Sequence, residues 1–205
     1  MTTIFLARHG QDEDNLAGIL NGHRDRPLTE LGVQQAVTTA QHIQEEHLSI
    51  EAVYSSPLQR AQETARIIAT QNDLPEPEIF DLLIERDFGV MEGVPIKDIE
   101  RLCSPSILRT DLVTYFIECD GAETFDALVQ RGHQVISQLS EQHPNQSILL
   151  VTHGDIGKMI YAAYYGLSWK QVLQSFHFGN CELLKLSRDT YPPQAHVFKQ
   201  DQHNH

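Results

Sequence analysis

Apolar residues along the chain follow two spacings, and their alternation predicts both strands and helices. Short apolar runs bounded by turn residues predict strands over 2–7, 51–55, 79–84 and 147–152, with two more near 181–187 and 195–198. Apolar residues at helical spacing predict helices over 29–47, from 57 onward, over 125–139 and 155–165, and from about 168. Alternating strands and helices are typical of an α/β fold with a mainly parallel sheet.

The stretch 94–120 shows neither spacing clearly and contains Pro95 and Pro105, with Gly121 directly after it. We expect a helical insertion here that serves as a lid, because such segments commonly exclude water and select the ligand. The polar tail from Asp201 to His205 is expected to fray.

Length and composition indicate an ordinary globular protein. The 205 residues are enough for a full core, and we expect one domain spanning 1–205. With 40% apolar and 21% charged residues, the chain is expected to be soluble. Arg8 interrupts the apolar run near the start, and no stretch approaches the roughly 18 apolar residues that span a bilayer. Three scattered cysteines without CxxC spacing favour a reducing, cytoplasmic location.

The net charge of −13 restricts the partners of the protein. Such a field repels polyanions, so nucleic acid and anionic membrane surfaces are not expected as partners. It would also weakly repel a phosphate ester, so a phosphate pocket would need a local concentration of positive groups. The sequence does not determine the oligomeric state, and a homodimer is compatible with it.

Side chains that could bind a ligand or take part in catalysis follow two of the predicted strands. Arg8, His9 and Gly10 come directly after one apolar run, and His153 and Gly154 after another. Ligands of open parallel sheets bind at the carboxyl ends of the strands. An arginine fork fits a phosphate, and a neutral imidazole can serve as a nucleophile. The pattern therefore indicates phosphoryl chemistry at histidine.

Two further segments bring charged side chains to the same edge. Arg60 lies in the first turn of the helix that begins at Pro57, where the free N–H groups favour an anion. Glu85 comes just after the strand predicted over 79–84. We expect both side chains to lie near His9 and His153.

At these four segments the chain resembles the histidine phosphatase superfamily, in its phosphoglycerate-mutase-like branch. The runs RHG, SSPLQRAQETA, LxExxFGxxEG and THG occur in the family's order. The match covers roughly residues 4–93 and 147–165. The resemblance implies a three-layer α/β/α fold with a small phosphorylated metabolite as substrate, without a metal or other cofactor.

The resemblance also implies roles for individual residues. His9 would attack the phosphoryl group and carry it as phosphohistidine, and Glu85 would protonate the leaving oxygen. The non-bridging oxygens would be held by Arg8, Arg60, His153 and Asn15. Further substrate-binding residues would be Gln11, Asn21, Gly22 and Gly154, although Gln11 could instead cap a turn. His23 and His177 are interpreted as structural, because no metal-ligand spacing accompanies them.

Several departures from the family's mutases bear on the reaction. Asp12 stands where the mutases usually carry Ser or Thr, and we expect it to repel a second anionic group on the substrate. Asp155 replaces an Asn. The stretch 94–120 carries three basic and five acidic residues, whereas the mutases have a basic insertion there. These points favour a phosphatase; a phosphoglycerate mutase and a non-catalytic phosphate-binding regulator are the alternatives.

Overall fold

A six-stranded sheet forms the centre of residues 1–201, the part of the chain that this computed structural model describes. Its strands are β1 (Thr3–Arg8), β2 (Ala52–Ser55), β3 (Glu78–Ile79), β6 (Ser147–Thr152), β7 (Leu183–Leu186) and β8 (His196–Phe198); β4 (Ile107–Arg109) and β5 (Thr114–Phe116) form a separate hairpin. The strand order is β3-β2-β6-β1-β7-β8, and β7 and β8 are antiparallel to their neighbours. The sheet is mainly parallel, as predicted.

The register of the two central strands determines where the site forms. β1 and β6 run parallel, and Arg8 lies opposite Thr152 at their carboxyl ends. His9 and His153 are the next residues on the two strands, so they leave the sheet side by side. A pairing between positions about 144 residues apart thus brings the two His-Gly runs together.

Two layers of helices cover the sheet. The helices are α1 (Glu13–Ala17), α2 (Glu30–Glu45), α3 (Gln59–Gln71), α4 (Ile99–Cys103), α5 (Phe125–Gln142), α6 (Gly154–Tyr165) and α7 (Trp169–Ser175). Alternation along β1 separates the two sides: Phe5 and Ala7 pack in the cluster that contains α2 and α3, and Ile4 and Leu6 in the cluster that contains α5 and α6. The predicted three-layer arrangement is therefore present.

The segment 94–120 is not the helical insertion that the sequence predicted. A 3₁₀ turn over Ile96–Asp98 leads into the short α4, and the β4–β5 hairpin follows. The two prolines limit any helix, and the β-branched and aromatic run around Tyr115 favours a strand. The pieces pack on one another through a small core of Phe88, Met91, Ile99, Cys103 and Phe116.

The strand predicted over 79–84 is also largely wrong. β3 pairs with β2 at only two positions, and a 3₁₀ turn follows over Asp81–Leu83. The strand lies at the edge of the sheet, whereas Leu83 is fully buried in the core. The chain therefore turns inward after Ile79, and Glu85 reaches the site from a loop rather than from a strand.

None of the helices within residues 1–201 has the length and apolar character needed to cross a bilayer. The expectation of a frayed tail concerns mainly residues 202–205, which lie outside the described part of the chain.

Candidate active site

His9 lies at the end of β1 with one ring nitrogen engaged and the other directed into the site. Its Nδ1 lies 2.7 Å from the carbonyl oxygen of Gly10, which can only accept a hydrogen bond, so Nδ1 carries the proton. Nε2 is consequently the unprotonated nitrogen, and it accepts from Arg60 Nε at 3.3 Å. This tautomer presents a lone pair at Nε2.

Burial and two cations keep His9 neutral. The side chain is almost completely buried, and desolvation, followed by the charges of Arg60 and Arg8, lowers the pKa of His9 well below its usual value. A neutral imidazole is the form that can attack phosphorus. The same cations that would bind a phosphate therefore also hold the nucleophile in its reactive state.

Arg60 is fully buried in the first turn of α3 and connects several parts of the site. Its Nη1 and Nη2 donate to the carbonyl oxygens of Arg24 and Gly22 at 2.6 and 2.9 Å. Its Nε lies 3.2 Å from Asp12 Oδ2. These contacts fix the guanidinium plane beside the His9 ring.

Arg8 and His153 each have a buried nitrogen without a protein partner. Arg8 Nη1 donates to the carbonyl oxygen of Phe178 at 2.9 Å, but its Nε is unpaired. His153 Nε2 lies 2.7 Å from Ser56 Oγ, and its Nδ1 is unpaired. Burial, then the charge of Arg60, lowers the pKa of His153 well below its usual value. Because unpaired buried polar atoms are costly, these two nitrogens indicate a polar ligand.

The His153 ring is positioned by the start of α6. His153 is the N-cap residue of this helix, and its ring centroid lies 5.0 Å from that of His9. A Cβ on Gly154 would lie 3.7 Å from both the Arg8 guanidinium and Glu85 Oε2. Arg8, Glu85 and the two histidines therefore surround one small volume.

Glu85 is buried and accepts hydrogen bonds from backbone N–H groups. Its Oε1 accepts from Arg86 and Ile156 at 2.8 and 3.1 Å, and its Oε2 from Asp155 at 3.3 Å. These bonds favour the carboxylate, but burial and the Asp155 charge outweigh them and raise the pKa of Glu85. A carboxyl with a raised pKa is suited to give a proton to a leaving group.

Three residues that the sequence analysis did not assign to the site support Glu85. Arg131 donates to the carbonyl oxygens of Leu82, Ile84 and Glu85. His23 Nε2 lies 2.8 Å from the Glu85 carbonyl oxygen. Arg86 donates to the carbonyl oxygens of Phe116, Ile117 and Glu123, which attaches the hairpin to the Glu85 loop. Of the three, Arg86 had a sequence signal, since it lies within the LxExxFGxxEG run.

Asp12 does not face the substrate as the sequence analysis expected. It is fully buried, and its carboxylate accepts from the Asn15 backbone N–H at 2.7 Å and from Asn21 Nδ2 at 2.6 Å. Its Oδ2 also forms the ion pair with Arg60 and lies 4.0 Å from His9 Nδ1. Because Arg60 neutralises this charge internally, Asp12 positions the site rather than repelling a substrate.

The residues predicted to bind substrate fall into two groups. Asn15, Asn21 and Gly154 line the cavity beside Arg8 and Glu85. Gln11 instead accepts a hydrogen bond from Thr29 Oγ1, and Gly22 contributes its carbonyl oxygen to Arg60. For Gln11 and Gly22 these contacts indicate a supporting position, and substrate binding by any of the five stays a prediction.

The cavity at this edge of the sheet is small, about 140 Å³. Drug-sized ligands occupy pockets of roughly 300 Å³ or more, so the cavity suits a small molecule. Its lining includes Arg8 and Glu85, and also Tyr115, Lys158 and His177. The sequence predicts a structural role for His177 and gives no signal at Lys158.

Among residues 1–201, one group could hold a metal ion. Ligand atoms of His23, Asp87 and Glu92 lie within 4.8 Å of one another. Each also has a hydrogen bond: His23 Nε2 with the Glu85 carbonyl oxygen, Glu92 Oε1 with the His23 N–H, and Asp87 Oδ1 with the Gly89 N–H. The cluster therefore supports the loop that carries Glu85.

A neutral buried imidazole, the guanidinium groups of Arg8 and Arg60 and a buried carboxyl are groups suited to phosphoryl transfer through histidine. The chain belongs to the histidine phosphatase superfamily (branch 1), which it matches over residues 4–201.

Similar proteins include both phosphatases and a mutase. A metal-independent phosphoserine phosphatase of Arabidopsis thaliana is 33% identical over 166 residues, 78% of this chain and 68% of that protein. A 2,3-bisphosphoglycerate-dependent phosphoglycerate mutase of Bartonella bacilliformis is 28% identical over 175 residues, 83% of this chain and 85% of the mutase. The crystal structure of a mutant phosphoserine phosphatase from Entamoeba histolytica in complex with phosphoserine has a TM-score of 0.73 and 28% identity, over 90% of each chain.

Proposed function

We propose that this protein is a metal-independent phosphatase that hydrolyses a small phosphomonoester through a phosphohistidine at His9. The observation that carries the proposal is the state of His9. Its Nδ1 carries the proton and donates to the Gly10 carbonyl oxygen, so the lone pair is at Nε2, which faces Arg60 Nε at 3.3 Å. Burial and the charges of Arg60 and Arg8 keep the ring neutral. A nucleophile in this state divides the reaction into two displacements.

In the first displacement, His9 Nε2 attacks phosphorus and the ester P–O bond breaks. Glu85 donates its proton to the leaving oxygen, which departs as an alcohol. Arg8, Arg60 and His153 hold the non-bridging oxygens, where charge is spread in the transition state. The unpaired nitrogens of Arg8 and His153 support this assignment.

In the second displacement, water attacks the phosphohistidine. Glu85, now a carboxylate, takes a proton from the water as its oxygen bonds to phosphorus, and the P–N bond breaks. His9 regains its lone pair, Glu85 its proton, and inorganic phosphate leaves. Because the guanidinium groups supply positive charge at the phosphate, the mechanism requires no metal ion.

The segment 94–120 favours water over a second phosphorylated substrate as the acceptor of the phosphoryl group. Its arginines are exposed and paired with acids of the same segment: Arg101 with Asp98 at 3.3 Å and Arg109 with Glu100 at 2.7 Å. Lys97 is exposed as well. The segment thus contributes no basic side chain to the cavity lining, whereas the mutases that the sequence resembles have a basic insertion there. The mutase remains the second candidate because of the Bartonella relative.

We infer that the whole chain serves as one catalytic domain in the reducing environment of the cytoplasm. The single family match over residues 4–201 supports the first inference. Three free cysteines support the second. The small cavity supports a metabolite as substrate; whether the protein is a homodimer is decided by its mass in solution.

The test is to trap the phosphoenzyme. Brief incubation with an aryl phosphate labelled at phosphorus, followed by quenching in base, should leave acid-labile label on the protein, and His9→Ala should carry none. Turnover without labelled protein, or label that survives acid, would overturn the mechanism. Labelled phosphate appearing on added phosphoglycerate faster than as free phosphate would identify a mutase.

A further inference from the structure

Lys158 is a buried cation whose charge the described part of the chain leaves largely uncompensated. It lies on α6, is 3% exposed and lines the cavity. Its Nζ donates one hydrogen bond, to Tyr115 Oη, and lies 4.8 Å from the centre of the Tyr115 ring. No carboxylate of residues 1–201 lies within 4.0 Å of Nζ. Two of the three N–H donors of the ammonium group are therefore available.

Such a group lowers the stability of a folded protein unless a ligand pairs with its charge and accepts its hydrogen bonds. A buried charge is stable only when it is paired and hydrogen-bonded. Burial lowers the pKa of Lys158 to about 8, with Asp155 acting in the opposite direction. The side chain consequently remains mostly cationic at neutral pH.

His177 adds an unpaired ring nitrogen to the lining of the same cavity. Its Nδ1 is buried without a hydrogen-bond partner, and burial lowers the pKa of His177 to about 3, so the ring is neutral. A neutral ring with its proton on Nδ1 can donate to an anion. Lys158 and His177 therefore both bring a polar group to the lining of this cavity.

Lys158 lies a short distance along α6 from the proposed phosphate site. Gly154, which adjoins Arg8 and Glu85, precedes Lys158 by about one helical turn, or about 6 Å along the axis. A substrate a few bonds long could therefore place its phosphate at His9 and another polar group at Lys158.

The charges around Lys158 favour a monoanion. Asp155 lies one turn earlier on α6, but its Oδ2 is 3.4 Å from Arg86 Nη1. Glu85 also lines the cavity. A second phosphate would bring two negative charges towards these acids in a chain of net charge −13, whereas a carboxylate brings one.

We propose that Lys158 is a specificity-determining residue that binds a carboxylate of the substrate, so that the enzyme prefers phosphomonoesters of small hydroxy acids or amino acids. The inference rests on the proposed phosphatase function. Tyr115 holds the ammonium from the hairpin side, and His177 offers a further donor to the carboxylate.

The test compares esters that differ in the carboxylate. O-Phosphoserine and O-phosphoethanolamine share the phosphate and the amine, and 3-phosphoglycerate and glycerol 3-phosphate form a second pair. The wild-type protein should favour the carboxylated member of at least one pair in kcat/KM. Lys158→Met should reduce this preference about 10-fold or more, as expected for a lost hydrogen bond to a charged group.

Two variants separate recognition from structural damage. Lys158→Arg, which keeps the charge, should retain the preference, and so should Lys170→Met, which removes an exposed lysine on α7. Equal loss for both members of a pair in a folded Lys158→Met protein would overturn the proposal. So would a wild-type protein that does not discriminate within either pair, a comparison that needs no variant.

Failure of this proposal can be told from failure of the phosphatase function. If aryl phosphate is hydrolysed through phospho-His9 but the carboxylate has no effect, only the role of Lys158 is wrong. If nothing is hydrolysed, calorimetric binding of the same pairs decides: equal affinities within both pairs would overturn the proposal.

Discussion

Replacement of Arg60 by lysine tests the argument that the guanidinium shape, and not only its charge, builds this site. The side chain donates to two backbone carbonyl oxygens at 2.6 and 2.9 Å, contacts His9 Nε2 at 3.3 Å and pairs with Asp12 at 3.2 Å. These contacts use three separate nitrogens. A lysine has one, so at least two contacts are lost.

The size of the effect follows from those contacts. A hydrogen bond from a charged donor contributes about 1.5–3 kcal/mol, so two of them suggest a loss of about 3 kcal/mol or more. For a chain of this size, that corresponds to a decrease in Tm of roughly 6–12 °C. Loss of one donor to the transition-state oxygens should lower kcat about 100-fold or more.

The assay is aryl phosphate hydrolysis well below the Tm of the variant, combined with thermal unfolding of the same samples. Arg66→Lys is the matched control, because Arg66 is an exposed arginine on the same helix that pairs with Glu76 at 3.7 Å. We expect that control to change the free energy of unfolding by less than about 0.5 kcal/mol. A folded Arg60→Lys protein with kcat close to that of the wild type would refute the reasoning.

Three further predictions concern proton transfer, packing and metal dependence. Asp155→Asn removes a charge that raises the pKa of Glu85, so the loss of kcat/KM with rising pH should begin at lower pH. The control is Asp189→Asn, which removes an exposed carboxylate. An unchanged pH profile in Asp155→Asn, or the same shift in the control, would contradict this role. Gly10→Ala places a Cβ 2.3 Å from the Gly32 carbonyl oxygen, where no rotamer change gives relief, and thermal unfolding should show a loss of about 1–3 kcal/mol. Dialysis against EDTA should leave aryl phosphatase activity intact, because arginines supply the positive charge at the phosphate; activity lost and then restored by a divalent cation would require a revised mechanism.

The structure moves the expected source of specificity from one residue to another. From the sequence, Asp12 is expected to repel a second anionic group on the substrate, yet Asp12 is buried and paired with Arg60. Lys158, which drew no attention as a single lysine in an amphipathic helix, lines the cavity instead. If Lys158 binds a carboxylate as we propose, the repulsion expected from Asp12 would predict the wrong substrate preference.

Much of the fold, and the grouping of Arg8, His9, Arg60, Glu85 and His153 at one edge of the sheet, could be predicted from the sequence. The spacing of apolar residues identified the central strands and the long helices, because that spacing is a local property of the chain. Placing Arg8, His9 and His153 at strand ends followed from the same pattern. The predicted secondary structure was wrong where the spacing of apolar residues gave only a weak signal: in the segment 94–120, and at the edge of the sheet after Ile79.

The tertiary structure decided how those residues act. Several contacts depend on side-chain placement in the folded chain. They are the lone pair of His9 beside Arg60, the pairing of Asp12 with Arg60, the support of Glu85 by Arg131 and the position of Lys158 in the cavity lining. Periodicity carries little information about such contacts, because a buried polar group is determined by its partners and not by its neighbours in sequence. The sequence thus indicated the kind of chemistry, and the fold determined the hydrogen-bond partners of the site residues, the direction of their pKa shifts and the size of the cavity.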